Sequence, residues 1–255
     1  VRRALKTISF FDKCAAEYDW LTNAADRARG HNKEVEAMVS RFHPNRVLDA
    51  GCATGLTASL FASKGVDAVG LDRSRGMLAL ARDKYARTNL PLHFRKGSFE
   101  SLPVGMDDSF DLVVCLANSI VGVESNANLK LSLAGFRRVL RPGGYVVLQA
   151  LNIDALKDGQ IMPVRTTEHS GVVYSRFLER SGHRSILYIL RVVSDSRPAQ
   201  AELFRHDSAS FSPDVLVHAL AHAGFVKVRK YADLMMNRRF STKARDIVIA
   251  AQRPR

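Results

Sequence analysis

Val47-Leu48-Asp49-Ala50-Gly51-Cys52-Ala53-Thr54-Gly55 is the stretch whose reading decides the fold. A short apolar run, Arg46 to Ala50, reads as a buried strand and meets two glycines, and a helical pattern then runs from Thr57 to Ser63. Glycine at 51 and 55 permits positive φ and close approach of backbone to a ligand. The helix start behind the turn offers free N–H groups. A second strand, Asp67 to Asp72, ends on a carboxylate 23 residues beyond Asp49. An acid at that point can accept both hydroxyls of a ribose, the logic of dinucleotide-binding folds. The glycine spacing departs from theirs: D-x-G-x-x-x-G replaces G-x-G-x-x-G, so no tight pyrophosphate cradle is implied.

Outward from this turn, strands and helices alternate. Ser74 to Arg87 is a predicted helix with Met77, Leu78, Leu80 and Ala81 on its apolar side. Leu92–Lys96 and Phe110–Leu116 read as the third and fourth strands. A helix from Asn128 to Leu140 is closed by the turn Arg141-Pro142-Gly143-Gly144, and Tyr145–Ala150 is a fifth strand. Residues 5–22 and 31–42 read as N-terminal helices. Beyond Asn152, 171–178 and 184–193 are β-rich with no long helix between them, so 152–210 is expected to be an antiparallel insertion over one end of the sheet. Ser212-Pro213 opens a helix that Gly224 ends, and Phe225–Tyr231 with Asp246–Ala251 close the chain as a hairpin. The expected fold is α/β: one domain with a doubly wound, mostly parallel, seven-stranded Rossmann-like sheet, an antiparallel closing strand and a small antiparallel β insertion. Its parts are N-terminal helices and lid (1–42), binding core (43–151), cap (152–210), and final helix with closing strands (211–255).

Composition is that of a globular protein: 255 residues, 46% hydrophobic and 25% charged. No apolar run nears the ~18–20 residues that span a bilayer. Val1-Arg2-Arg3-Ala4-Leu5-Lys6 lacks the long apolar stretch of a secretory signal, so a cytoplasmic protein without a membrane span is expected. Cys14, Cys52 and Cys115 are far apart and form no C-x-x-C pair, which argues against disulfides and structural zinc. The net charge of +13 suits nucleic acid, but the basic residues are scattered. His218 and His222 lack the glutamate of H-E-x-x-H and, with Asp214, read as a polar helix face; no metal is expected, and no G-x-S-x-G supports serine hydrolysis.

The turn at 49–55 resembles the first motif of class I S-adenosylmethionine-dependent methyltransferases. Gly70-Leu71-Asp72-Arg73-Ser74 with Met77-Leu78 resembles the second motif. Gly97 to Pro103 resembles the third, the loop that flanks adenine, with Ser98 where many members carry Asp. Phe110–Val114 and Leu140–Gly144 are similar to the fourth strand and the turn before the fifth, so the resemblance covers about residues 40–150. It implies S-adenosyl-L-methionine as cofactor and S-adenosyl-L-homocysteine as product. It also implies cofactor contacts at Asp49, Ala50, Gly51, Cys52, Gly55, Asp72, Arg73, Met77, Ser98, Phe99, Glu100, Leu116 and Ala117. Tyr18 would lie over the cofactor, and Arg29 would reach its carboxylate, with Arg27 and Lys33 as competitors.

Leu116-Ala117-Asn118-Ser119 resembles the Leu-Gly-Asn-Ser stretch of glycine and sarcosine N-methyltransferases. Leu151 to Leu156 is similar to their Asn-Tyr-Asp stretch, and Met162–Arg165 with Ser175–Phe177 to their β insertion. Ala117 replaces Gly and Ile153 replaces Tyr, so methylation of a small molecule is carried over, and glycine as the substrate is not. The expected reaction is in-line methyl transfer to an amine nitrogen, driven by positioning, with Tyr18 near the sulfonium and the Asn118 side-chain carbonyl orienting the amine. No dedicated base stands out. Two alternatives remain: an RNA methyltransferase, motivated by the charge, and a non-catalytic cofactor-binding scaffold, disfavoured by the intact Asp49, Gly51, Gly55 and Asp72. The sequence carries no signal of oligomeric state.

Overall fold

A computed structural model describes residues 15–194, 198 and 200–255. Seven strands form the main sheet: β1 (Arg46–Ala50), β2 (Asp67–Asp72), β3 (Leu92–Lys96), β4 (Phe110–Cys115), β5 (Leu140–Leu151), β10 (Val226–Tyr231) and β11 (Asp246–Gln252). Their order is β3-β2-β1-β4-β5-β11-β10. The first five run parallel, while β11 is antiparallel to both β5 and β10. This is the doubly wound mixed sheet expected from the sequence, with the closing strand inverted. Strand order reverses between β1 and β4, which opens a crevice at their carboxyl ends.

Alternate side chains along each strand feed two cores. Val47, Leu112 and Val114 face Met38, Ala58 and Phe61 on one side. Leu48, Val113 and Leu148 face Leu133, Phe136 and Leu220 on the other. Covering both faces is why these strands read as continuous apolar runs. The helices between them are α3 (Leu56–Ala62), α4 (Arg75–Tyr85) and α5 (Asn126–Val139), followed after the insertion by α6 (Pro213–His222). Serine caps begin three of them: Ser74, Ser125 and Ser212 accept from Met77, Asn128 and Val215 N–H. His218 and His222 lie exposed on α6. Cys52 and Cys115 are buried; Cys14 lies outside the described residues.

Three local expectations need correction. The described part of 5–22 is a 3₁₀ turn (Ala15–Glu17) and a one-turn helix, α1 (Tyr18–Leu21); residues 5–14 lie outside the description. The next helix, α2, spans Ala24–Phe42 and so starts well before residue 31. Thr22 ends α1, its hydroxyl donating to the Tyr18 carbonyl, and Asn23 turns left-handed (φ 52°), so a new helix begins at once. Arg141 to Gly144 does not leave the sheet. It bulges inside β5, where Phe110 pairs Leu140 and the register shifts so that Leu112 pairs Tyr145, with Gly143 at φ 86°.

The second sheet is an antiparallel meander of β6 (Ile161–His169), β7 (Val172–Ser181), β8 (Arg184–Val193) and β9 (Gln200–Ala209). It is anchored to α1. Leu21, Tyr174 and Ile189 form a small core, and Trp20 stacks on His169 at 5.3 Å between ring centroids. Arg191 donates to Glu17 at 3.0 Å, and the Tyr174 hydroxyl donates to the same carboxylate. Arg191 holds the Glu17 carboxyl below its ordinary range. From the other side of α1, Asp19 accepts from Thr54 and from Lys84 (2.8 Å). The short helix is therefore latched to both sheets.

Candidate active site

Between the carboxyl ends of β1, β2 and β4, the N-terminal helices and the second sheet lies a cavity of about 680 Å³. Ligand clefts fall at ~300–1,000 Å³. A narrower cleft of about 30 Å³ continues from it beneath α1, bordered by Asp49, Thr54, Leu116 and Arg27. Tyr18, Gly51, Ala53, Ala117 and Ser119 border both.

The glycine turn differs from expectation in what it offers. Gly51 and Cys52 N–H both donate to the Leu71 carbonyl (2.8 and 3.0 Å). Ala53 N–H donates to Asp72 at 2.8 Å, and Ala58 N–H in α3 donates to Asp49 at 3.1 Å. Ala58 N–H, in the first turn of α3, and the turn's Gly51, Cys52 and Ala53 N–H are therefore spent on fixing the loop, and the loop presents carboxylates. Gly51 has φ 84° and borders the cavity, where a Cβ would stand 2.7 Å from Ser119 and 3.1 Å from the Phe99 ring. Gly55 also has positive φ (85°), but it caps α3 against the Phe94 ring, 2.7 Å from where a Cβ would be, and does not border the cavity. Its glycine serves the turn and the packing behind it. Ala50 lies in the core and likewise does not reach the cavity. Cys52 borders only the narrow cleft, and its sulfur sits behind Gly70.

Asp72 is held for use. Its second oxygen accepts Ser74 N–H at 2.9 Å, so two backbone amides orient the carboxylate at the cavity wall. Burial raises its pKa, and those amides oppose the rise. Asp49 is 2% exposed. Burial pushes its pKa up to about 7, against the Ala58 N–H bond, and the Asp72 charge adds to the rise. No cationic side chain pairs with it at bonding distance among the described residues, though Arg27 is near enough to lower its pKa. A cationic amino-acid group in the narrow cleft would relieve that burial. Arg73, Met77, Ser98, Phe99 and Glu100 all border the large cavity, and the Phe99 ring meets Phe136 edge-on at 5.8 Å.

Arg29 is the clear displacement. Its side chain is 79% exposed and paired with Asp26, whereas Arg27, two positions earlier on α2, borders both spaces. Asn118 borders the cavity but not as expected: its side-chain carbonyl accepts Leu151 N–H at 2.9 Å, leaving the Nδ2 amide as its free polar end. Ala117 is at φ 52°, and its N–H donates to Gln149 at 3.0 Å. Leu116 borders the narrow cleft. Tyr18 borders both spaces, where burial raises its hydroxyl pKa.

Several wall residues carried no expectation from sequence: His31, Glu34, Gln149, Arg165, Arg176, Arg245 and Asp246. His31 bridges α2 to α3, at 2.6 Å from Glu34 and 3.0 Å from the Thr57 hydroxyl. Arg165 and Arg176 read from sequence only as part of the insertion, and Gln149 and Asp246 only as strand residues. Among the described residues no cluster of three His, Cys, Asp or Glu side chains suits a metal ion.

Residues 47–144 match the family described as Methyltransferase domain. That stretch and the fold around it are similar to those of class I S-adenosylmethionine-dependent methyltransferases. The chain is 30% identical over 150 residues to the malonyl-[acyl-carrier protein] O-methyltransferase of Serratia marcescens, covering 59% of this chain and 54% of the relative. It is 27% identical over 142 residues to the glycine/sarcosine N-methyltransferase of Aphanothece halophytica, covering 56% and 54%. The chain thus spans about half the length of these curated relatives. An amino pentose methyltransferase from Micromonospora echinaspora, solved with S-adenosylmethionine bound, superposes with a TM-score of 0.71 at 24% identity, covering 91% of this chain and 96% of that one. That likeness shows a shared fold. No described helix of the chain is long and apolar enough to cross a membrane.

Proposed function

We propose that this protein transfers a methyl group from S-adenosyl-L-methionine to a small-molecule acceptor, at an amine nitrogen. The observation that carries the reading is the convergence of Asp72 and the Ala117–Asn118 turn on a cavity roofed by the second sheet, with Asp49 in the narrow cleft that continues from it. The residues fit the cofactor. Asp72, pre-oriented by Ala53 and Ser74 N–H, suits a ribose diol, and Phe99 and Met77 suit an adenine face. Asp49 and Arg27 suit the ammonium and carboxylate of an amino acid. When bound, the cofactor supplies a methyl group already activated on a sulfonium.

What the chain itself does is position groups and exclude water, effects worth ~7–11 kcal/mol when geometry is good. Tyr18 and the latched α1 cover the narrow cleft. The Asn118 Nδ2 amide donates, so it holds an oxygen of the acceptor and leaves the nucleophilic lone pair unengaged. Glu34 and Asp246 place acidic charge on the same wall. Burial raises the Asp246 carboxyl pKa, with Glu34 adding to the rise, which fits it to take a proton from an arriving ammonium. Both acids favour an amine over a neutral phenol or thiol. The known relatives include both O- and N-methyltransferases, so the acceptor atom rests on this charge argument.

The experiment is a transfer assay with methyl-labelled cofactor and a panel of small amines, phenols, thiols and RNA. Label on a small amine is the expected result. Label only on a phenol or thiol oxygen or sulfur overturns the amine assignment, and label on RNA overturns the small-molecule reading.

A further inference from the structure

The roof of the cavity has one sign of charge. Among the described residues that β6 to β9 contribute to its wall, Arg165 and Arg176 are the permanently charged side chains, and no carboxylate accompanies them. Beside them are aliphatic groups such as Leu178 and Ile189 and the hydroxyls of Ser185 and Ser208. His206 is also there, and burial lowers its pKa, so it is neutral at pH 7.

Arg165 and Arg176 are direct partners across the β6–β7 ladder. Like charges opposed in this way repel. Arg176 Nε is buried with no hydrogen-bond partner, and no ion pair reaches either guanidinium among the described residues. Other arginines of the same sheet are provided for: Arg180 pairs with Asp154, Arg191 with Glu17 and Arg205 with Asp207. Burial, with the charges of Arg165 and Arg27, lowers the Arg176 pKa as well. Arg165 is exposed, so the cost falls on the half-buried Arg176: its buried unpaired Nε, facing the cavity beside a second cation, is costly unless an anion arrives there.

We infer that Arg165 and Arg176 form a subsite for an oxyanion, carboxylate or phosphate, carried by the methyl acceptor. The inference rests on the methyl-transfer reading of this cavity. The guanidinium fork of Arg176 meets two oxygens, Arg165 supplies the second charge, and the aliphatic roof covers the carbon skeleton between the anion and the nitrogen. The acceptor is then zwitterionic, its amine toward Glu34 and Asp246 and its anion toward the roof.

The test titrates acetate and inorganic phosphate into protein saturated with S-adenosylhomocysteine, and into the free protein, against chloride at constant ionic strength. Wild type, Arg176→Met, Arg176→Lys and Arg165→Met are compared by calorimetry, with circular dichroism to verify folding. Saturable binding of at least one oxyanion to the wild type is expected, weakened at least tenfold in Arg176→Met and partly restored in Arg176→Lys. Affinity for S-adenosylhomocysteine should stay within about twofold throughout. Stronger binding of acetate identifies a carboxylate acceptor, and stronger binding of phosphate a phosphorylated one. Absence of oxyanion binding, or binding indifferent to Arg176→Met, overturns the subsite. So does a tenfold loss of S-adenosylhomocysteine affinity in Arg176→Met, which would assign Arg176 to the cofactor. Failure of wild type to bind S-adenosylhomocysteine at all would instead sink the methyl-transfer reading, while titration of the free protein still reports on the arginines.

Discussion

Replacing Asp49 by Asn separates what that carboxylate costs from what it binds. Its pKa rises from an ordinary 3.8 to about 7 on folding, because burial penalises the charged form. A group whose folded pKa is raised contributes stability that is fully present below the unfolded value and is lost as pH rises through the folded one. The shift of about 3 units corresponds to about 4 kcal/mol of penalty once pH exceeds 7. Asn keeps the acceptor for Ala58 N–H and carries no charge. The ligand-free variant should therefore match wild type near pH 4, gain on it up to about pH 7 and level off, so that at pH 8 its melting temperature stands roughly 10 °C higher. Binding of S-adenosylhomocysteine should move the other way. The variant should lose at least tenfold in affinity at pH 8, and the affinity of wild type should rise with pH up to about 7, with proton release visible as a buffer-dependent heat. Calorimetry and thermal melts between pH 4 and 8 read both. A variant no more stable than wild type at pH 8, or one binding the ligand equally well, would refute the reasoning.

Other outcomes follow from the same geometry. Asp72→Ala should weaken S-adenosylhomocysteine binding by ~10–100-fold, since it removes a charge-assisted hydrogen-bond acceptor worth ~1.5–3 kcal/mol and frees the Ala53 and Ser74 amides; calorimetry checks it. Arg27→Met should lower the same affinity about tenfold while Arg29→Met leaves it unchanged, because Arg29 is paired outward with Asp26. Glu17→Gln should cost about 1 kcal/mol at pH 7, a value discounted for partial exposure. The Glu17 pKa is lowered on folding, so this contribution is present above its ordinary 4.5 and lost as pH falls through the folded value; melts of variant and wild type should converge in acid. Gly55→Ala should destabilise the fold by ~1–3 kcal/mol, with a strained φ of 85° and the Phe94 ring in the way, a loss readable in a denaturant titration.

Much of this arrangement was legible in the sequence because it is local. Strand, glycine turn, helix and terminal acid occupy one run from Arg46 to Asp72, and each step has its own residue signature. The insertion was legible for the same reason: 171–178 and 184–193 carry strand patterns of their own. Where contacts are distant, the pattern was silent. Arg27 and Arg29 are equivalent by composition, and only the early start of α2 at Ala24 decides which one turns inward. The Asn118 carbonyl was expected to face substrate, because nothing local reveals that Leu151 N–H, 33 residues on, claims it. Arg141 to Gly144 has the composition of a turn, yet pairing of β5 with β4 on either side of it keeps it in the sheet as a bulge. Asp246 and Arg245 reach the cavity only because β11 pairs with β5 and brings Asp246 beside Leu151.

A crystal structure of the protein with S-adenosylhomocysteine tests the central claim most directly. The ribose hydroxyls should be found on Asp72, the amino group in the narrow cleft at Asp49, and the sulfur facing the Ala117–Asn118 turn. Density for the ligand anywhere else, or Phe99 and Ser119 filling the space above Gly51 in its presence, would contradict the account.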